Sequence, residues 1–210
     1  MRFWLKKYIF YGCFWVLMGA MMGCTTTLLP PQHLTTIHKP SKEKTIKELG
    51  SFTLNGKIGF SDGKQGGNAA LQWEERGKDY RIRLYGPLGS GSIQIMGDAK
   101  QVQLIRDDGT MVHAKDPEAL IQQELGWVIP VSGLRYWLRG TPAPGIPPTE
   151  IQVDDHGRIW QIKQTGWVID YQAYQAKPGY FMPYKLLLKN GSIRLKFILQ
   201  PSNVNGRRIK

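Results

Sequence analysis

The sequence predicts a mainly β fold in which one long, curled antiparallel sheet of about 11 short strands carries a helical insert over its concave side. Apolar and polar residues alternate with a period of two along most of the chain, and turn residues separate the runs. Apart from a short stretch at residues 41–49, helical spacing is confined to two segments between residues 116 and 140. Because strand twist accumulates, a sheet this long must curl, and its apolar face would line the concavity.

The strands that precede the helices follow from this alternation. Apolar and polar residues alternate along residues 52–58 and 69–73, which predicts two strands. Turns are predicted at residues 62–67 and 77–78. Residues 80–85 and 92–95 are predicted to form the next two strands. An Asp-Asp-Gly turn at residues 107–109 separates the last two strands before the helices. Hairpin connections can join all of these strands, which predicts an antiparallel meander.

The connection between the strands at residues 80–85 and 92–95 is unusual. Residues 86–91 contain three glycines and a proline, which suit a turn, but also the large apolar Leu88. Such a side chain either folds back onto the core or is held outward to contact an apolar partner. The pattern alone favours the first reading and leaves both open.

Two helices are predicted next. Asp116 is a suitable N-cap, Pro117 suits the first turn, and Gly126 ends the segment. Ser132 is the predicted N-cap of a shorter helix that Gly140 ends. The proline-rich segment 141–148 cannot be regular and leads back to the sheet.

The strands after the helices repeat the earlier pattern. Trp160 and Ile162 are predicted to share one face of a strand, and Gly166 turns the chain into the strand that starts at Trp167. Residues 184–188 and 193–199 form the last hairpin, with Asn190-Gly191 as its predicted type I′ turn.

The amino terminus predicts an exported lipoprotein. Residues 1–23 have a basic start and an uncharged run too short for a comfortable membrane span. The sequence Met21-Met22-Gly23-Cys24 resembles the bacterial lipobox, which would make Cys24 the lipidated residue, although an ordinary signal peptide with a chance cysteine is the alternative. Residues 24–44 are then the lipidated N-terminus and a flexible tether, and a short helix is predicted at residues 41–49. Residues 45–204 are the predicted folded domain, and residues 205–210 are a basic tail.

Composition narrows the function classes. A formal net charge of +12 favours contact with anionic membrane surfaces or an acidic partner, and export argues against nucleic acid. The four histidines lack a second ligand at metal spacing, and no catalytic or nucleotide-binding motif occurs. We therefore expect neither an enzyme nor a cofactor. The many aromatic residues are mainly core, and they also suit a cavity for an apolar ligand.

The sequence resembles the LolB family of outer-membrane lipoprotein receptors. The segments that carry the resemblance keep their family order: Asn55–Ile58, Trp73, Tyr80–Gly89, Ala114–Leu120, Leu125–Val131 and Leu134–Pro142. The resemblance implies an unclosed β-barrel with a helical lid over a hydrophobic cavity. It also implies that Leu88, flanked by Pro87 and Gly89, is the residue of a protruding membrane-insertion loop. Met21 departs from the usual lipobox leucine.

The implied function is to accept acylated lipoproteins from the periplasmic carrier LolA and to insert them into outer-membrane phospholipid. We expect a monomer at the periplasmic face of the outer membrane, anchored through Cys24; Thr25 after the cysteine agrees with this location. Two alternatives remain, a lipoprotein that binds another apolar ligand and a structural assembly lipoprotein. The candidate cavity-lining residues are Leu71, Trp73, Tyr80, Ile82, Leu84, Ile93, Ile95, Leu120, Trp137, Trp160, Ile162, Leu195 and Phe197.

Overall fold

One antiparallel sheet forms the body of the computed structural model, which describes residues 35–36, 51–87, 91–98, 100–177, 180–204 and 207–208. The predicted signal peptide, Cys24, the possible helix at residues 41–49, and Leu88 with Gly89 lie outside the described residues. The strands are β1 Thr35–Thr36, β2 Ser51–Ser61, β3 Gly66–Arg76, β4 Asp79–Tyr85, β5 Ser92–Gly97, β6 Val102–Arg106, β7 Met111–Ala114, β8 Glu150–Val153, β9 Ile159–Gln164, β10 Trp167–Lys177, β11 Tyr180–Asn190, β12 Ile193–Val204 and β13 Arg207–Arg208.

The sheet is unclosed, as predicted. Its strand order is β1-β8-β9-β10-β11-β12-β2-β3-β4-β5-β6-β7, and β13 pairs with β12 outside this path. Every ladder is antiparallel, and within the described part of the chain no ladder joins β7 to β1. The prediction of about 11 strands matches the longer strands, and the two-residue β1 and β13 are additional. β1 is formed by residues assigned to the tether, with Thr35 opposite Val153 and Thr36 opposite Gln152.

Gly56 marks a place where neighbouring strands lie too close for a side chain. A Cβ atom added to it would lie 2.2 Å from the backbone carbonyl oxygen of Ile198 on β12. The apolar residues on either side of it in β2, Leu54 and Ile58, are buried in the core. Glycine therefore lets β2 and β12 approach on their apolar face, because any larger residue would collide with backbone atoms that cannot move aside.

Two short helices connect β7 to β8. α1 spans Pro117–Leu125, and the Asp116 carboxylate accepts hydrogen bonds from the backbone N–H groups of Glu118 and Ala119, at 2.9 and 3.3 Å. Gly126 ends α1 with a φ of 69° in the left-handed region. The capping residues predicted for this helix are confirmed.

The start of the second helix was predicted incorrectly. α2 spans Val131–Trp137, so Ser132 lies inside the helix rather than at its N-cap. Pro130 occupies the cap position and makes no side-chain capping bond. The Ser132 N–H instead donates to the Glu118 carboxylate of α1 at 2.8 Å. A side chain distant in sequence satisfies this helix end, which is why the local pattern misplaced the cap.

Both helices pack on the apolar face of the sheet. Leu120 and Ile121 of α1 and Leu134 and Trp137 of α2 are at most 2 % exposed and belong to the same core as the strands. Within the described part of the chain, neither helix has the length and apolar character needed to cross a bilayer.

The last hairpin has its turn one residue later than predicted. Asn190 pairs with Ile193, which leaves Gly191 and Ser192 as the two turn residues, and Gly191 has a φ of 56°. Glycine at the first central position suits a tight hairpin turn, because it adopts a positive φ without steric cost. Asn190 is therefore the last residue of β11.

Candidate functional site

The apolar face of the sheet is the region in which the cavity-lining residues were predicted. The structure brings most of them together in one buried core: Leu71, Trp73, Tyr80, Ile82, Leu84, Ile95, Leu120, Trp137, Ile162, Leu195 and Phe197. Ile93 is partly buried against this core. Trp137 is 1 % exposed, so α2 fills the space over the strands in this conformation.

Trp160 does not join this core. The register of β8 and β9 pairs Gln152 with Gln161 and Val153 with Ile159, which leaves Trp160 as the extra residue of a β-bulge. Ile159 and Ile162 are buried, whereas Trp160 is only partly buried. The expectation that Trp160 and Ile162 share the apolar face is corrected by this bulge, because strict alternation does not hold across it.

An open groove lies where the apolar core reaches the surface between the sheet and the end of α1. Its volume is about 510 Å³, within the range typical of small-ligand sites. Ala69, Leu84 and Leu104 are core residues that also line the groove. The remaining lining residues are Asn68, Gly86, Pro87, Gly91, Ser92, Ile93, Arg106, Asp107, Glu124, Leu125 and Trp127. The groove thus lies against the apolar core at the end of the sheet that carries the β4–β5 connection.

Trp127, between the two helices, lines this groove. Its ring stacks on Phe60 of β2, with centroids 5.0 Å apart and planes 14° from parallel. A Cβ atom on Gly67 would lie 3.2 Å from the Trp127 ring, so glycine there leaves room for the indole. Near the same groove the Arg106 guanidinium donates to the Glu124 carboxylate, joining β6 to α1.

An ion pair fixes α2 to the strand β3. Arg135 donates from Nε to Glu75 Oε1 at 2.8 Å and from Nη2 to the Lys78 carbonyl at 2.9 Å, and its guanidinium lies 4.8 Å from the centre of the Tyr80 ring. The Glu75 side chain is 4 % exposed and also accepts from the Trp73 indole N–H at 3.3 Å. Burial opposes the charge on Arg135, but its bonds with Glu75 outweigh burial and raise the pKa of the guanidinium. Burial raises the pKa of Tyr80 to about 12.

A second set of polar contacts holds Trp137, the last residue of α2. Gln164 of β9, only 1 % exposed, accepts from the Trp137 indole N–H at 2.7 Å and from the Ala143 N–H at 2.9 Å. The Tyr171 hydroxyl donates to the Trp137 carbonyl at 2.9 Å, and burial raises the pKa of this hydroxyl well above its ordinary value. Because these polar groups are buried and paired, α2 has one defined position over the sheet.

Glu75, Arg135 and Gln164, which hold α2 on the sheet, were not among the residues predicted from the sequence. A signal for two of them was present, because Glu75 falls on the same face as Trp73, and Gln164 on the same face as Ile162. A polar residue at an inward position of an apolar strand requires a buried partner. No local pattern indicated that Arg135 would be the partner of Glu75.

The chemistry available at this site is the binding of apolar groups. Within the described residues, no group of three or more His, Cys, Asp or Glu side chains is placed to hold a metal ion. The buried polar groups position α2 on the sheet, and the groove offers an apolar surface between two elements. Of the predicted insertion-loop residues, Pro87 is exposed and lines the groove, whereas Leu88 and Gly89 lie outside the described residues.

Comparison with known proteins identifies relatives. The model of the family described as outer membrane lipoprotein LolB matches residues 50–201. An outer-membrane lipoprotein LolB of Cellvibrio japonicus is 32% identical over 188 residues, covering 87% of this chain and 90% of the relative. The Nitrosococcus oceani protein of the same name is 33% identical over 158 residues, with 75% and 79% covered. A solved LolA superfamily protein from Nitrosomonas europaea shares the fold, with a TM-score of 0.50 at 9% identity over 78% of this chain and 89% of that one.

Proposed function

The chain belongs to the LolB family of outer-membrane lipoproteins, and from this premise we propose that it is a membrane-anchored receptor for acylated lipoproteins. It accepts them from a LolA-type periplasmic carrier in its apolar interior and inserts them into the inner leaflet of the outer membrane. Cys24 carries the acyl anchor, and Leu88 enters the bilayer during release. The transfer needs no catalytic step and no cofactor.

The observation that carries this proposal is the groove whose lining includes core residues of the sheet. Each acyl methylene exposed to water costs about 0.8 kcal/mol, so a long chain cannot leave its carrier without an apolar surface to receive it. Ile93, Leu125 and Trp127 are partly buried and offer such a surface at the mouth of the core, next to the buried Leu104. A chain seated there touches side chains that are continuous with the buried interior.

Trp137 determines how far a chain can enter. It occupies the space over the strands, and Gln164, Tyr171 and the Arg135–Glu75 pair hold its helix in place. Full entry of a chain requires α2 to move away from the sheet and these contacts to break. Binding at the groove is then the first step, and displacement of α2 is the second.

The experiment loads LolA with an acylated lipoprotein and mixes it with the full-length lipidated protein in liposomes. Wild type is compared with Leu125→Glu, which places a charge in the groove, and with Ala119→Glu, a control at an exposed position on the same helix. We expect wild type and Ala119→Glu to take cargo, and Leu125→Glu to take at least tenfold less. Equal uptake by all three proteins would contradict the groove as the receiving surface.

Leu88→Glu tests the insertion step separately. We expect this variant to accept cargo from LolA but to release it poorly into the liposome. Transfer equal to wild type would make Leu88 an ordinary turn residue. If wild type takes no cargo from a competent LolA, the receptor proposal fails, and binding of another apolar ligand becomes the better explanation of the groove.

A further inference from the structure

The face of the sheet opposite the core, here called the outer face, has a strongly uneven charge distribution. Strands β11, β12 and β2 are adjacent in the sheet, and their sequences contain no aspartate or glutamate. They place five basic residues on the outer face: Lys57, Lys185, Lys189, Arg194 and Lys196. We call these five residues the basic strip.

The basic strip is continuous with the end of β4. Tyr85 pairs with Ala70, Ala70 with Lys57, Lys57 with Ile198, and Ile198 with Lys185, so one row crosses five neighbouring strands. Cross-strand partners lie on the same face of a sheet, and adjacent strands are about 4.8 Å apart. Tyr85 and Ile198 are 40% and 44% exposed. The surface therefore alternates lysines with exposed apolar side chains.

Most of this charge has no acidic partner in the described part of the chain. Lys189 binds Asp170 of β10 at 2.6 Å, and Arg194 donates to the carbonyl oxygens of Gly191 and Ile193. For Lys57, Lys185 and Lys196, no described carboxylate lies within 4.0 Å. The complement of such a surface is an extended array of negative charges rather than one buried anion.

We propose that the basic strip binds the anionic phospholipid headgroups of a bilayer and so orients the groove toward the membrane. The row that contains Lys57 includes Tyr85, the last residue of β4, and Gly86 directly after it lines the groove. Tyrosine and aliphatic side chains between lysines suit the boundary between headgroups and acyl chains. This inference needs neither cargo nor carrier, so it goes beyond the receptor function and stands or falls separately from it.

The test is lysine footprinting of the full-length lipidated protein, which the acyl anchor holds on every vesicle. Two preparations are compared, phosphatidylcholine vesicles and vesicles of equal parts phosphatidylcholine and phosphatidylglycerol. A water-soluble reagent acetylates the lysines at low salt, and mass spectrometry gives the rate at each site. Lys78 and Lys115 are the controls, because both are exposed and lie at the opposite end of the sheet from the β4–β5 connection.

A lysine close to an anionic bilayer gains about fivefold in association. We expect Lys57, Lys185 and Lys196 to react about fivefold more slowly on the anionic vesicles, whereas the reaction rates of the control lysines should change less than about twofold through the surface potential alone. About 1 M salt should abolish the difference, since it shortens the screening length to about 3 Å.

Three results would overturn the proposal. Equal rates on the two vesicles would show no headgroup contact. Equal slowing of Lys78 and Lys115 would show a general effect of the surface potential rather than contact through one face. Protection of the strip on phosphatidylcholine vesicles by added polyglutamate, without protection by phosphatidylglycerol, would assign the strip to an acidic protein partner.

Discussion

Replacing Arg135 with methionine should destabilise the fold, because the buried Glu75 carboxylate then keeps, among the described residues, only the Trp73 indole N–H as a hydrogen-bond donor. The Glu75 side chain is 4% exposed and that of Arg135 is 19% exposed. Methionine keeps much of the length and apolar stem of arginine while removing its charge and its donors. The expected effect therefore arises from the unpaired carboxylate and from the lost bond to the Lys78 carbonyl.

The expected loss of unfolding free energy follows from the burial of the Arg135–Glu75 pair. Removing one partner of a fully buried ion pair costs about 3–5 kcal/mol. Because part of the Arg135 side chain reaches solvent, water can approach the carboxylate in the variant, and we expect about 2–4 kcal/mol. For a domain of this size, this loss corresponds to a decrease in Tm of roughly 4–16 °C.

The assay is urea unfolding followed by tryptophan fluorescence in a double-mutant cycle. The variants are Arg135→Met, Glu75→Leu and the double variant, which contains no unpaired charge and should be more stable than the sum of the single changes predicts. Arg83→Met is the control, because Arg83 faces Glu74 at 3.8 Å in a pair that is 34% and 22% exposed. Additive single effects no larger than that of Arg83→Met would refute the reasoning, since they would mean that water solvates the Glu75 carboxylate.

Two further predictions concern local contacts. Burial opposes the ionisation of Asp154, but hydrogen bonds from the Arg158 side chain and from the backbone N–H groups of Arg158 and His156 outweigh it and lower its pKa. Its stabilising contribution is thus present above the ordinary carboxyl pKa of about 3.9 and is lost as the pH falls through the lower folded value. Asp154→Asn should therefore reduce the free energy of unfolding at neutral pH, and the difference from wild type should shrink as the pH falls through the lowered folded pKa of Asp154; a difference that stays constant in acid would contradict this origin. Gly133→Ala should destabilise by about 1–3 kcal/mol in chemical unfolding, because the added Cβ would lie 2.5 Å from the Trp137 ring. Ser132→Ala at an exposed position of the same helix is its control, and stabilisation by Gly133→Ala would mean that the indole can move aside.

Elements with local signals were predictable from the sequence. The alternation of Phe52, Leu54 and Ile58 corresponds to the buried face of β2, and Asp116 and Gly126 bound α1 as expected. These features depend on neighbouring residues, whose spacing and conformational preferences are visible in the chain itself.

Features that depend on distant partners were not predictable. Glu75 and Arg135 are 60 residues apart, and Glu118 of one helix satisfies the N–H of Ser132 in the next. The bulge at Trp160 changes which residues of β9 face inward, although the local alternation favoured another choice. The groove forms where the ends of four strands lie next to α1 and Trp127. It could not be predicted from the sequence, because it depends on the packing of segments that are distant along the chain.

With an acyl anchor on Cys24, as proposed above, the pairing of β1 with β8 would limit the distance between the sheet edge and the bilayer. Ten residues separate Cys24 from Thr35, where the chain joins the sheet edge. A fully extended chain advances at most about 3.6 Å per residue, so the segment between an acyl anchor on Cys24 and this edge is at most about 40 Å long. That length is close to the thickness of one lipid bilayer. In the proposed transfer, a carrier would therefore meet a domain whose β1–β8 edge stays within this distance of the membrane.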